Sequence, residues 1–404
     1  MIENKVVKLN MLEVYLILVI AFIGVGIMYI PFYYISIGCI ISTFSLISVV
    51  FFVGFGLRRL AECNAQNKIG YPGMGEMAFG KSLEIIIYLL LFLGQLMYGI
   101  AHLAYISDNL LLILKKSTDC DEDILNYIIK GVLALLIPLL LCIKKWKDYS
   151  IAFVVSSVIM ITTLLLFSVY ILIEMKFSRD SDGNIGAKNI AQLIGVCFFS
   201  FQGYGAIIPT HRIATSQKSY KTYLYLALFS ACALHIIFPF LLYIRADSNQ
   251  NPASMEFFVV DFNFFVEKIK LREEVVYVLL SLYLGCLIPV YYLVMYPSLR
   301  TAEKILKKAF NENAEKPIFR YLIRILLAEF TVIIATIIGE DAVVLIIITG
   351  FLICLPLTTI IPSLIHLKLT ANSGLDKSLN IVGLVIGHGV MIAGVIMAFN
   401  DYWI

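Results

Sequence analysis

Gln95, Tyr98, His102 and Tyr105 recur at steps of three, four and three residues inside an apolar run, so one helical face carries an amide, two phenols and an imidazole. Such a stripe is expected to look into a helix bundle. There the imidazole, with a reference pKa of ~6.5, can exchange a proton near neutrality or simply hydrogen-bond a neighbouring helix. Glu329 stands in the middle of another apolar run. A carboxylate there costs at least ~2.5 kcal/mol, so it is protonated, paired or in contact with water. His102 is the first candidate for proton coupling and Glu329 the next, while His235 and His388 are read as structural.

Backbone groups are the second source of chemistry. In "IAFIGVGIMYIPFYY", Ile20 to Tyr34, the residues Gly24, Gly26 and Pro31 interrupt a run that would otherwise form one helix. The order returns in "FFSFQGYGAIIPTHR", Phe198 to Arg212, with Gly203, Gly205 and Pro209. A helix broken inside a bilayer leaves N–H and C=O groups that need a polar partner. The positive end of the half-helix after Gly26 suits a carboxylate, and unwound carbonyls near Ser200 to Gly203 suit an ammonium. A zwitterion fits both. The predicted binding residues at the breaks are Gly24, Val25 and Gly26 in the first and Ser200, Phe201, Gln202, Gly203, Tyr204 and Gly205 in the second.

Enzyme chemistry is not indicated. No GxSxG or HExxH occurs, and "EEVVY" at Glu273 lacks the downstream Arg and paired His of a membrane protease. "GMGEMAFG" has neither the preceding strand nor the acidic partner of a dinucleotide fingerprint. The eight cysteines form no CxxC, and Cys120 alone falls in a predicted outer loop, so they are read as packing residues. No cofactor and no metal are expected.

The elements that must hold these groups are membrane helices. Hydrophobic residues make up 60% of the 404 and the mean hydropathy is +0.91, well above an ordinary soluble domain. Eleven apolar runs are long enough to cross a bilayer, at about 12–33, 36–57, 83–106, 127–143, 149–174, 189–208, 222–244, 274–297, 319–338, 341–366 and 379–399. Strand-like alternation does not recur, so the expected class is an all-α integral membrane protein. The first run is too long for a cleaved signal peptide and is expected to stay. With the N-terminus in the cytosol, 20 of the 31 Lys and Arg fall on the inner side, which also puts the C-terminus outside. The net charge of +3 thus reports sidedness rather than nucleic acid binding.

Two interrupted spans five apart point to inverted repeats, a five-plus-five architecture with discontinuous first and sixth helices and a peripheral eleventh. The expected parts are a short cytosolic N-terminus over 1–11, a first five-helix repeat over 12–174, a second over 189–366, and the eleventh helix with the C-terminus over 379–404.

These residues resemble the amino acid/auxin permeases, within the amino acid, polyamine and organocation transporter superfamily. "IGVGIMYIPFYYISIG" is similar to that family's first-span signature, and "YPGMGEMAFG", Tyr71 to Gly80, to a segment of the following inner loop. Further matches are "SDNL" at Ser107 to Leu110, "FSFQGYGAIIP", "VMYPSLRTAEKIL" and "TGFLICLPLTTIIPSLIHLKL", in order along nearly the whole chain. The resemblance implies that the third span lines the pocket, making Tyr98 a candidate substrate contact. The sequence departs from the sodium-coupled branch: Ile20 replaces an Asn, and the eighth span lacks a mid-span Ser or Thr. Sodium coupling is therefore not expected. Nor does the fifth span, from Ile151, offer a lysine in place of sodium.

The resemblance implies a secondary active transporter of amino acids. Neutral ones are favoured because no charged side chain is evident near the breaks, and protons or the substrate gradient alone would drive it. The alternative is an amino acid sensor using the same site. The expected partners are the small substrate, the bilayer and protons, with no nucleic acid. The absence of an N-x-S/T sequon leaves plasma membrane and vacuolar or lysosomal membrane both open.

Overall fold

The computed structural model describes residues 8–67, 69–118, 120–142, 146–173, 186–245, 260–261, 263–310 and 317–399, and these are overwhelmingly helical. Asn10 starts α1 (Met11–Ile23) with a capping box: it accepts from the Glu13 N–H at 2.8 Å and Glu13 accepts from the Asn10 N–H at 2.7 Å. The helix stops at Gly24. A 3-10 turn over Gly26–Met28 leads into α2 (Pro31–Ile37), and the axis bends by 41° across the break. Next come α3 (Cys39–Asn67), α4 (Tyr71–Phe79), α5 (Lys81–Ser117), α6 (Glu122–Cys142) and α7 (Trp146–Ile173).

The second half opens with another interruption. Three residues separate α8 (Ala187–Ser200) from α9 (Tyr204–Ile213), and α10 (Gln217–Arg245), α11 (Glu273–Phe310) and α12 (Pro317–Ile338) follow. The tenth span comprises α13 (Ala342–Thr349) and α14 (Ile361–Leu369), and α15 (Gly374–Ala398) is last. Among the described residues, ten helical stretches are long and apolar enough to cross a membrane, eleven when α1 and the segment Gly26–Ile37 count as one span. The eleven-span, all-α architecture with breaks in the first and sixth spans is the observed one. Of the sixth span's most apolar window 78% is buried, against 22% of the eleventh's. The sixth therefore sits at the centre and the eleventh at the rim.

Two local expectations need correction. "YPGMGEMAFG" is not a loop: Pro72 in the first turn favours helix and Gly80, at φ +78°, ends it, giving α4. The tenth span is not one continuous helix either. Two π turns, Gly350–Cys354 and Pro356–Ile360, lie between α13 and α14. A proline has no N–H to give and its ring crowds the carbonyl four residues back, and a widened turn relieves that crowding. Pro362 stands five residues after Leu357, so the Leu357 carbonyl, lacking a donor there, accepts from Tyr71 Oη on α4 at 2.8 Å. The tyrosine of the inner motif thus completes the tenth span's hydrogen bonding.

Candidate functional site

The two breaks meet. A Cβ built on Gly26 would lie 2.1 Å from Ser200 Oγ, and one on Gly203 would lie 2.2 Å from the Phe22 ring. Each glycine is therefore required by the close approach of the other break, a reciprocal interlock between the first and sixth spans. Gly24 has φ +43°, a conformation costly for other residues, and a Cβ there would overlap Tyr98 Oη at 2.2 Å. Its carbonyl, freed by the break, accepts from Tyr283 Oη on α11 at 2.5 Å.

Beside the interlock lies a cavity of about 20 Å³, lined by Ala21, Gln95, Tyr98, Gln202, Gly203, Gly205, Ala206, Leu293 and Val294. Of the predicted residues, Tyr98, Gln202, Gly203 and Gly205 line it directly. Gly24, Val25, Gly26, Ser200, Phe201 and Tyr204 build the breaks around it, all but Gly24 and Gly26 through side chains that are buried. Gln202 Oε1 accepts from Tyr204 Oη at 3.0 Å and from Cys354 Sγ at 3.3 Å, which draws the first π turn of the tenth span against the break. Gln202 Nε2 and Tyr98 Oη are buried neighbours, and neither makes a hydrogen bond of ordinary geometry. Such groups cost free energy unless they are used. Ala21, Ala206, Leu293 and Val294 carry no chemical signal in sequence, and Gln95 was visible only as part of the third-span stripe.

His102 is fully buried on the stripe, its ring 4.5 Å from the Tyr98 ring. His102 Nδ1 lies 2.9 Å from the Tyr98 carbonyl. A carbonyl only accepts, so Nδ1 carries the proton and Nε2 presents a bare lone pair, unpartnered among the described residues. Glu329 is not brought to this site: it is half-buried on α12 and lines no part of the cavity.

Beyond the cavity the bundle is closed at both ends. At the end carrying α4, Leu9 N–H donates to the Ile213 carbonyl (2.8 Å) and Thr215 N–H to the Leu9 carbonyl (3.0 Å). His211 Nδ1 lies 2.8 Å from Asn64 Oδ1. Buried Arg59 reaches Glu62 at 3.2 Å and Asp376 at 2.9 Å, while Glu62 also meets Lys221 at 3.0 Å and His366 at 3.3 Å. This network ties α3, α10, α14 and α15. At the opposite end Val260 N–H donates to the Met28 carbonyl (3.0 Å), and Tyr105 Oη donates to the Val260 carbonyl (2.8 Å). Next to it Asp261 accepts from Phe264 N–H at 2.7 Å. Burial nevertheless pushes the Asp261 carboxyl above its usual range, against that hydrogen bond, which pulls it down.

Similar solved structures share this architecture. A Na+-coupled sialic acid symporter aligns over 96% of this chain and 89% of its own, at 13% identity and a TM-score of 0.57. A nucleobase-cation-symport-1 family transporter in a closed conformation aligns over 98% and 93%, at 12% identity and 0.54. The Eremococcus coleocola manganese transporter aligns over 96% and 86%, at 14% identity and 0.58. At such identities the likeness speaks for the fold alone. In sequence, the Saccharomyces cerevisiae protein named vacuolar amino acid transporter 3 is 21% identical over 398 residues, 95% of this chain. The chain spans 56% of that relative's length. The family model for transmembrane amino acid transporter proteins matches residues 8–245, taking in both breaks, α4 and the third-span stripe, and the chain belongs to that family.

Proposed function

We propose that this protein is a secondary active carrier of neutral amino acids that works by alternating access around the paired breaks, driven by protons or by the substrate gradient alone. One observation carries the reading: Tyr98 Oη and Gln202 Nε2, two buried neighbouring donors that make no hydrogen bond of ordinary geometry, stand at a cavity whose lining has no charged side chain. Two donors suit a substrate carboxylate, and the loose carbonyls of Ser200 to Gly203 suit its ammonium. The side chain would rest against Ala206, Leu293 and Val294, where a charge would have no counter-ion. A cavity on the scale of one or two waters cannot hold an amino acid, so Tyr98 and Gln202 must shift on binding. The name of the yeast relative favours a vacuolar-type membrane, and the basic residues favour a cytosolic N-terminus.

The test is uptake of a panel of labelled amino acids into proteoliposomes holding the purified full chain, under imposed pH or sodium gradients. Neutral members should enter, faster when the outer pH is lower, with no response to sodium. Sodium-dependent, pH-indifferent uptake would overturn the coupling. Saturable binding without uptake would mark a sensor.

A further inference from the structure

His235, in the middle of α10, repeats the geometry of His102 at the other break. It is fully buried, its Nδ1 lies 2.8 Å from the Ala231 carbonyl four residues back, and its ring is 4.7 Å from the ring of Phe201. Phe201 is one of the three residues between α8 and α9. Because a carbonyl only accepts, the His235 proton sits on Nδ1, and Nε2 is again a bare lone pair with no hydrogen-bond partner among the described residues. The other two buried imidazoles are engaged differently: His211 pairs with Asn64, and His366 with Asn380 and Glu62. The two bare imidazoles each pack at a tilt against an aromatic ring at a break, Tyr98 beside Gly24 and Phe201 in the sixth span.

We propose that His235 is a second proton-accepting residue, a positioning residue that acts on the sixth-span break through Phe201. The proposal rests on the transport reading above. When one end of the bundle opens, Nε2 forms an N–H bond with a proton delivered by water and the ring becomes an imidazolium. When the opposite end opens, that bond breaks and the proton returns to water. An isolated cation in the closed core lacks a partner, so the proton crosses when a bound substrate carboxylate shares the core as its counter-ion, and the empty bundle closes with the ring neutral. A charged ring also repels the aromatic edge and attracts its face, so each protonation step alters how Phe201 rests on it.

The surroundings leave the ring free to respond. The elements packed against α10 are α1, α2, α3, α7 and α9. Their charged residues lie towards their ends: Glu13 on α1, Arg58, Arg59 and Glu62 on α3, Arg212 on α9, and Lys147 and Asp148 on α7. Glu62 pairs with Lys221, fourteen residues from His235 and so about 21 Å along α10. The remaining titratable side chains on these elements are Tyr15 on α1, Tyr33 and Tyr34 on α2, Cys39 and Cys63 on α3, Tyr170 on α7 and Tyr204 and His211 on α9, with Cys197 on α8 and Cys232, three residues from His235, on α10 itself. The phenols and thiols among them are neutral at ordinary pH, and His211 is engaged with Asn64.

The experiment has two arms. In the first, full-length protein labelled with 15N-histidine, in lipid nanodiscs without substrate, is titrated by NMR, with His235→Gln and His102→Gln assigning the signals. The His235 Nε2 signal should pass from the bare to the protonated type between about pH 8 and about pH 5.5. A signal that stays bare across that range overturns the proposal, even should His235→Gln fail to fold. In the second arm, uptake of the same labelled panel is compared at equal and unequal pH. His235→Gln should keep exchange at equal pH within about twofold of wild type while losing at least about fivefold of acid-driven accumulation. Wild-type accumulation by His235→Gln would also overturn it. If the wild type takes up no panel member, the transport reading fails, and the NMR arm still decides His235.

Discussion

At the α4 end of the bundle a buried ion network closes the helices, whereas at the opposite end the ion pairs, Lys115–Glu122 and Lys116–Glu273, are partly exposed and the buried contact at Val260 is neutral. At the former, Arg59, Glu62, Lys221 and Asp376 hold helices together through side chains that depend on one another's charge, with the His366 imidazole beside Glu62. At the latter, one phenol hydroxyl and peptide groups meet at Val260, Met28 and Tyr105. A buried ionic tie is costly to break halfway, because the partner left behind keeps its desolvation penalty. A neutral hydrogen bond is exchanged for one to water at small net cost. On the transport reading proposed above, the neutral contact is expected to yield in small steps and the ionic network as a unit.

Removing one member of the ionic set should have the largest effect. Glu62→Gln leaves buried Arg59 with only half-exposed Asp376 as its counter-ion. The expected loss is about 3 kcal/mol of stability, read as a lower thermal midpoint of the purified protein. An unchanged midpoint would erase the contrast between the ends.

At the neutral end Tyr105→Phe removes one hydroxyl and nothing else, deleting the bond to the Val260 carbonyl. A loss of about 1 kcal/mol should speed hydrogen exchange at the Val260 amide about fivefold and leave the thermal midpoint almost in place. Destabilisation as large as that of Glu62→Gln would show that the hydroxyl is part of a larger network.

The smallest effect is one of pH. Because the Asp261 carboxyl is raised above its unfolded value, its contribution is fully present in acid and fades as pH rises through the raised value. The segment after Asp261 should therefore exchange its amides more slowly at acid pH, once intrinsic rates are allowed for. Asp261→Asn should remove that slope and slow exchange at neutral pH. A slope that persists in Asp261→Asn would assign the dependence to another group.

How much of this was written in the sequence depends on how local each signal is. The eleven spans follow from hydropathy alone, and the breaks from Gly24, Gly26 and Pro31 echoed by Gly203, Gly205 and Pro209. The π turns were not legible, because they depend on distant partners: a Cβ on Gly56 would lie 1.8 Å from the Thr358 carbonyl, and one on Gly350 would lie 2.0 Å from that of Gly195. Tyr98 and Gln202 were legible as polar residues in apolar runs, whereas Leu293 and Val294 look like any other wall of a membrane helix. Glu329 drew notice for its charge, yet α12, its helix, contributes nothing to the cavity lining. Why the chain keeps a carboxylate there has no explanation in the structure.

The interlock of Gly26 with Ser200 and Gly203 with Phe22 has a kinetic consequence. Neither break can travel by more than the small clearance left by the other, so the two cannot relax independently. Close-packed contacts of this kind switch between discrete arrangements rather than deforming continuously. The passage between inward- and outward-facing forms should then be a single relaxation, with reporters placed on either half of the bundle returning one shared rate constant.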